Sequence, residues 1–287
     1  MSTASPASAE YAEPGSPAYR RITFALFLAG FTTFSLLYSV QPLLPLFAEE
    51  FHVSAAASAL SLSLATGFLA FAILCAGALS TSMDRRRLMF GSMAMAAVLN
   101  LIASLVPSWH AMLIARAVEG LVLGGVPAVA MAYLAEEIHP KGLGRAMGQY
   151  VGGTAFGGMM GRVGVSVLSD AFGWRPAMCI ISVLGLLAAL GFWWLLPASK
   201  HFVRRVGVPL SEHARVWREH LTHRSLPLLF LIGFLMVGTF VAVYNYAGFR
   251  LLRAPFSLSQ SAIGLIFCAY LFGIAASTMA GGFSERI

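Results

Sequence analysis

Two arginines and one glutamate stand in stretches of chain that otherwise carry almost no charge. Arg116-Ala-Val-Glu119 sets a cation and a carboxylate three residues apart, and a glycine-rich run ending Gly161-Arg162 adds a second cation. Residues three apart share a helix face, so Arg116 and Glu119 can pair. A charge in the hydrocarbon core of a bilayer costs at least about 2.5–3.5 kcal/mol, so each needs a partner or a wet cavity. Two cations against one carboxylate leave net positive potential, which suits an anionic or strongly polar solute group. A proton arriving at Glu119 would release Arg116 and raise that potential, linking protonation to anion binding reciprocally. We expect both arginines to line one cavity in the outer half of the membrane, with Arg162 open to a solute anion or to Glu119. Tyr38, Gln41, Tyr244 and Asn245 offer further hydrogen bonds, although a tyrosine in such a run equally serves packing.

These residues need long apolar elements to hold them. Of 287 residues, 58% are hydrophobic and 11% charged, against about 45–50% and about 25% in soluble domains. Mean hydropathy is +0.78. Eight apolar stretches, 22–47, 58–80, 88–106, 110–134, 146–168, 175–197, 226–248 and 261–283, are each near the roughly 20 residues that cross a bilayer as helix. Barrel strands would need only about 9–11 alternating residues. The fold class is therefore an all-α polytopic membrane protein, and no pattern of a soluble or intramembrane enzyme is present. The lipid bilayer is the first partner.

The net charge of +7 is placed as a membrane protein places it. Fourteen of the nineteen Lys and Arg fall in alternate segments: Arg20, Arg21, Arg85–Arg87, Lys141, Arg145, Lys200, Arg204, Arg205, Arg215, Arg218, Arg224 and Arg286. By the positive-inside rule those segments and the N-terminus are cytoplasmic, and a nucleic-acid partner is excluded as the reason for the charge. Cys75, Cys179 and Cys268 lie singly in different stretches and read as packing residues. No metal or cofactor is implied. Residues 1–21, rich in Ala, Ser and Pro, lack the pattern of a signal peptide and read as a disordered tail.

The chain divides into a six-helix bundle over 22–199, a basic linker over 200–225 and two further helices over 226–287. In the linker, Ala214, Trp217 and Leu221 share one helix face, suited to lying on the inner leaflet. His213, His220 and His223 belong to its solvated basic side. An internal repeat joins the two parts. Phe51-His-Val-Ser54 is echoed by Phe256-Ser-Leu-Ser259, Phe34 and Tyr38 by Phe240 and Tyr244, and Gly77-Ala-Leu-Ser80 by Gly281-Gly-Phe-Ser284, all at offsets near 205. Parallel repeats with a site between them are a plan of secondary transporters.

Three motifs resemble those of the major facilitator superfamily. Gly77-Ala-Leu-Ser-Thr-Ser-Met-Asp-Arg-Arg-Arg87 is similar to its cytoplasmic gate signature, G-x-L-[A/S]-D-[R/K]-x-G-[R/K]-R-[R/K]. Gly77, Leu79, Ser80, Arg85, Arg86 and Arg87 match it; Thr81 replaces its acid, which Asp84 would have to supply. Arg116-x-x-Glu119-Gly120 resembles the motif whose arginine is linked to proton transfer. Gly148 to Arg162 is similar to the antiporter motif of the fifth helix, with Gly158 in place of its proline. That resemblance implies export. Gly153, Gly157 and Gly161 form a ridge for close helix packing, as do Gly120 and Gly124. Tyr38-Ser-Val-Gln-Pro-Leu-Leu-Pro45 and Ala132-Tyr-Leu-Ala-Glu-Glu137 resemble a bacterial inner-membrane branch of the family.

The resemblance implies a proton-coupled transporter of a small solute with twelve helices. Eight are legible, and the second gate motif runs out at Ile287, so a fragment is expected. The competing reading is a non-transporting remnant or membrane interaction protein.

Overall fold

The structure, a computed structural model, describes residues 11–79, 84–199 and 210–273. Within them the chain forms helices α1 (Pro17–Tyr38), α2 (Leu44–Glu50), α3 (Ala55–Ser58), α4 (Leu60–Leu79), α5 (Arg85–Leu105), α6 (Trp109–Leu123), α7 (Gly125–Glu137) and α8 (Pro140–Phe172). After these come α9 (Trp174–Leu195), α10 (Leu210–Thr222), α11 (Leu226–Leu252) and α12 (Gln260–Ile266). A short 3₁₀ turn, Gln41–Leu43, joins α1 to α2, and another, Phe267–Ala269, follows α12. The fold is helical, as the apolar stretches imply.

Six helical segments of the described residues are long and apolar enough to cross a membrane: Pro17–Glu50, Ala55–Cys75, Arg85–Leu105, Trp109–Glu137, Trp174–Leu195 and Leu226–Leu252. A shorter apolar helix covers Gln260–Gly273. The fifth expected span lies in α8, 33 residues long, where nine glycines replace apolar side chains and dilute hydropathy without shortening the helix.

Local signals start these helices where they begin. Ser16, Ser108 and Ser259 cap α1, α6 and α12 by accepting from the backbone N–H three residues on, and Pro17 occupies the first turn of α1. One expectation is corrected here. The expected tail covers residues 1–21, but from Tyr11 onward the chain is ordered. Ala12 pairs with the segment after α7 through Ala12 N to Glu137 O (2.9 Å) and His139 N to Ala12 O (3.2 Å). Tyr19, already in α1, donates to Gly142 O at 3.2 Å. Composition alone hid this, because the pairing partner lies more than a hundred residues away.

The first span is broken. α1 stops at Tyr38, and Pro42 and Pro45 remove two backbone donors that a continuous helix would need. The carbonyls of this break are free for side chains. Around it α1 packs along α8 and α9, α4 along α6, and α5 along α6 and α9. Two clusters of buried apolar side chains fill the interior, one around Leu36, Phe47 and Met178, the other around Leu26, Tyr133 and Phe192.

The repeat is visible in the backbone. Ser54 caps α3 as Ser259 caps α12. Two described residues other than glycine have positive φ, His52 (52°) and Ser257 (45°), which are equivalent at the same offset of about 205 residues. Phe34 packs tilted against Tyr38 (6.1 Å) and Phe240 against Tyr244 (4.5 Å), again one pair per copy.

Candidate functional site

Arg116 and Glu119 sit side by side in α6 with no exposed surface. Arg116 Nη1 meets Glu119 Oε2 at 2.6 Å. The rest of the guanidinium is spent on the break in the first span and its neighbours. Nη2 donates to Leu37 O (2.7 Å), Nε to Ser61 O (3.1 Å), and Nη1 also lies 3.4 Å from Asn100 Oδ1 and 3.5 Å from Leu36 O. Asn100 in turn donates to Ser182 Oγ at 2.9 Å. Leu37 O would accept from Gln41 N–H in an unbroken helix, so Arg116 takes the place of a lost backbone donor. Glu119 Oε1 is buried without a hydrogen-bond partner among the described residues. The carboxylate is thus held by one oxygen and open at the other.

Arg162 occupies a different place. Its guanidinium lies 3.9 Å over the Tyr38 ring and 5.2 Å from Phe267 and Tyr270, a cation in an aromatic surround. Nη1 folds back onto Gly158 O (2.6 Å), and Nε donates to Gln41 Oε1 (2.6 Å). A side chain at Gly158 would put its Cβ 3.1 Å from that Nη1, so glycine where the family motif has proline leaves room for the arginine. Gln41 passes the contact on: its Nε2 donates to Asn245 Oδ1 at 2.6 Å. Tyr244 stacks on Phe267 at 5.0 Å.

The expectation that both arginines line one cavity is corrected. Arg116 grips Leu37 O from inside the first six helices, whereas Arg162 stacks on the next residue, Tyr38, where α8 faces α11 and α12. Glu119 balances Arg116 alone. Adjacent residues at a helix end point apart, which spacing along the sequence did not reveal.

A cavity of about 620 Å³ lies between α8, α11 and the residues that follow α12, and one of its walls, Tyr270, has its ring 5.2 Å from the Arg162 guanidinium. Gly148, Gly152 and Ala155 form one wall, and Phe240, Tyr244 and Tyr270 the other. Its surface is apolar apart from the two phenol groups.

The arginines after α4 are engaged. Arg85 forms a two-pronged pair with Glu136, Nε–Oε2 2.8 Å and Nη2–Oε1 2.6 Å. Arg86 lies 4.1 Å over the Trp193 ring and donates to Trp193 O. Among the described residues Asp84 is not paired with Arg85. It caps α5, accepting from Arg87 N at 2.8 Å, and the carboxylate paired with Arg85 is that of Glu136. Gly77 and Leu79 fall in the last turn of α4, the Arg87 side chain is exposed, and Ser80 lies outside the described residues.

The packing glycines stand against backbone. A Cβ on Gly153, Gly157 or Gly161 would come within 2.5, 2.2 and 2.5 Å of the carbonyls of Phe27, Phe31 and Ser35. On Gly120 it would lie 2.1 Å from Ala65 O, and on Gly124 2.4 Å from the Ala72 Cβ. Contacts that rise together at a constant step of four make α1 and α8 parallel, as the first and fifth crossings must be.

The model of the Major Facilitator Superfamily matches residues 24–287. The chain belongs to this superfamily. It is 43% identical over 277 residues to the inner membrane transport protein YnfM of Escherichia coli K12, covering 96% of this chain and 66% of that protein. It is also 43% identical to the MFS-type transporter YybF of Bacillus subtilis 168, covering 96% and 68%. This chain therefore spans about two thirds of the length of these relatives. Among solved structures of the superfamily, a bacterial homolog of the human lysosomal transporter Spinster, inward-facing and unoccupied, superposes with a TM-score of 0.73 at 18% identity, over 95% of this chain and 64% of that one. A D-xylose-proton symporter superposes at 0.60 and 18% identity, over 94% and 69%.

Several polar residues that hold the superfamily fold together here are not among those singled out from sequence. Asn100 and Gln260 are uncharged amides, which carry a smaller burial cost than an arginine and so attract less notice in an apolar run. Glu136 and Asp170 lie at helix ends, where charge is ordinary.

Proposed function

We propose that the chain is the larger part of a secondary transporter that moves a small organic anion through the cavity between α8 and α11–α12, coupled to protons at Glu119. The observation that carries the reading is the cavity itself: a space of solute size with an aromatic wall, next to the buried cation Arg162. An apolar or aromatic body suits Phe240, Tyr244 and Tyr270, and a negative group suits Arg162. The arginine-rich loops face the cytoplasm of a bacterium's inner membrane in this reading, and residues 22–199, 200–225 and 226–287 act as first bundle, linker and part of a second bundle. In the linker, Trp217 and Leu221 are exposed on α10 and would rest on the inner leaflet. The glycine-rich α8 supports export as the direction.

Proton coupling rests on the uneven environment of Glu119. One oxygen is tied to Arg116 and the other is unpartnered, so a proton can be accepted on Oε1 while Arg116 keeps its carbonyl partners around the helix break. Protonation would loosen the pair beside the broken first span and so reach Tyr38 and Gln41 through the backbone.

The test uses the protein reconstituted in vesicles, with benzenesulfonate as a permanently charged, aromatic probe and benzenesulfonamide as its neutral control. Addition of benzenesulfonate is expected to drive proton movement, read by an internal pH dye, and the neutral control is not. Glu119→Gln is expected to abolish proton movement while exchange of labelled benzenesulfonate persists. Unchanged pH dependence in Glu119→Gln would make the pair structural and overturn the coupling.

A further inference from the structure

The starts of α1 and α8 enclose another cavity, of about 450 Å³, to which the transport reading gives no role. We propose that it holds the headgroup of an anionic phospholipid, with Arg20 and Arg145 on the phosphate. Nothing in this depends on the transport reading, and the test needs no solute.

The cavity is lined by Arg20, Thr23, Phe24 and Phe27 of α1 and by Arg145 and Gln149 of α8, among others, and no carboxylate lines it. The glycine ridge fixes the levels at which these residues stand. Gly153, Gly157 and Gly161 meet Phe27, Phe31 and Ser35, so each residue of α8 lies level with the residue of α1 numbered 126 lower. Carried back to the helix starts, that register sets Arg145 level with Tyr19, one residue from Arg20, and Gln149 level with Thr23. The lining is therefore layered. Two guanidinium groups come first, a hydroxyl and an amide follow one turn deeper, and the rings of Phe24 and Phe27 lie about 6 and 10 Å beyond Arg20. Phe24 is exposed and stacks on Phe27 (6.5 Å). Phe27 and Phe31 both meet Phe156, at 6.3 and 5.9 Å, which continues the aromatic strip down the span.

Charge balance points to an anion. Arg85, Arg116 and Arg175 each pair with a carboxylate, that of Glu136, Glu119 and Glu50. Neither Arg20 nor Arg145 has a side-chain partner among the described residues. Glu13, just ahead of α1, lies 3.7 Å from His139 instead. No acidic residue stands in the first turn of α1 or α8, so the positive ends of two helix dipoles add to the two guanidinium groups.

The layering selects the kind of anion. A soluble phosphate ester would engage the arginines and leave the rings beneath them to water. A phospholipid engages every layer: its phosphate meets Arg20 and Arg145, an ester carbonyl accepts from the Gln149 amide, and an acyl chain lies along Phe24 and Phe27. Basic pockets between membrane helices bind anionic headgroups in this way, each basic residue being worth about a fivefold factor in binding.

The experiment offers the purified full chain, in neutral detergent, equal amounts of dioleoylphosphatidylglycerol and dioleoylphosphatidylcholine, and counts retained lipid by native mass spectrometry. The parent is expected to retain one phosphatidylglycerol in preference to phosphatidylcholine. Arg20→Gln and Arg145→Gln are each expected to weaken that binding about fivefold, and the double variant roughly 25-fold. Arg20→Lys with Arg145→Lys is expected to keep the preference, which separates charge from fold. Arg218→Gln, which removes the same charge from α10, is expected to change nothing. Phosphatidylglycerol should also raise the melting temperature of the parent and not that of the double variant. Glycerol 3-phosphate at the concentration of the lipid is not expected to displace it. Undiminished retention by the double variant overturns the site, and an equal loss with Arg218→Gln does so by making net charge the sole cause. Displacement by glycerol 3-phosphate would mark a site for soluble phosphate esters and overturn the assignment to lipid.

Discussion

At the scale of single residues, the buried charges of the described helices are each held by a partner. Arg116 replaces backbone donors lost at a helix break, Arg162 is sheathed in aromatic rings, and Arg85 is clamped by Glu136. Asp170 shows how a surface carboxylate is drawn into the same economy. It lies beyond the expected fifth span, and hydrogen bonds from the Ser261 side chain and backbone, then from Ser259 and Gln260, hold its carboxyl below the usual carboxylate range. A depressed carboxyl contributes stability above its unfolded value and loses it as pH falls through the lower folded value. The difference in melting temperature between the protein and Asp170→Asn is therefore expected to be constant from about pH 5 to 8. It should shrink only below the ordinary aspartate range near pH 4. A difference that already vanishes at pH 6 would mean that the tie to Ser261 does not hold in solution. Of these residues, Arg116, Glu119, Arg162 and Gln41 were legible in the sequence because charge and amide stand out in apolar runs. Their partners were not, because the carbonyls of Leu36, Leu37 and Pro42 belong to main chain and have no signature.

Elements obey the same division between what spacing reveals and what only packing decides. The run Gly153, Gly157, Gly161 predicts a smooth ridge, and its partner proves to be α1 at Phe27, Phe31 and Ser35. The break in the first span follows from Pro42 and Pro45. The ordered Tyr11–Ser16 segment does not follow from anything local, since its partner is the turn between α7 and α8. Substitution tests the ridge: Gly157→Ala sets a methyl group 2.2 Å from a backbone oxygen, and overpacking of this kind costs about 1–3 kcal/mol. Gly144→Ala meets nothing within 4 Å on the same helix, and is expected to be neutral or stabilising by about 0.5–1 kcal/mol. Melting curves of the two variants should separate in that order. Equal curves would mean that α1 and α8 are not in contact along the ridge.

For the molecule as a whole, the repeat recurs in the backbone of both parts. Equivalent serines cap α3 and α12, equivalent residues take positive φ, and Gln41 donates across the two copies to Asn245. A site between two related halves can face one side at a time, and the proposed transport requires that this cavity do so. α11, whose apolar window buries nothing against the described residues, fits a helix that faces lipid and further helices. The measurement that bears most directly on the claim is side-resolved labelling of Gly152→Cys, a wall of the cavity, in the background without native cysteines. Inside-out vesicles, which in the proposed orientation present the arginine-rich loops to the reagent, are expected to label in the parent, and right-side-out vesicles are not. Simultaneous access from both sides would describe a channel, and access from the opposite side alone in the parent would reverse the orientation. Either result contradicts the proposed transport.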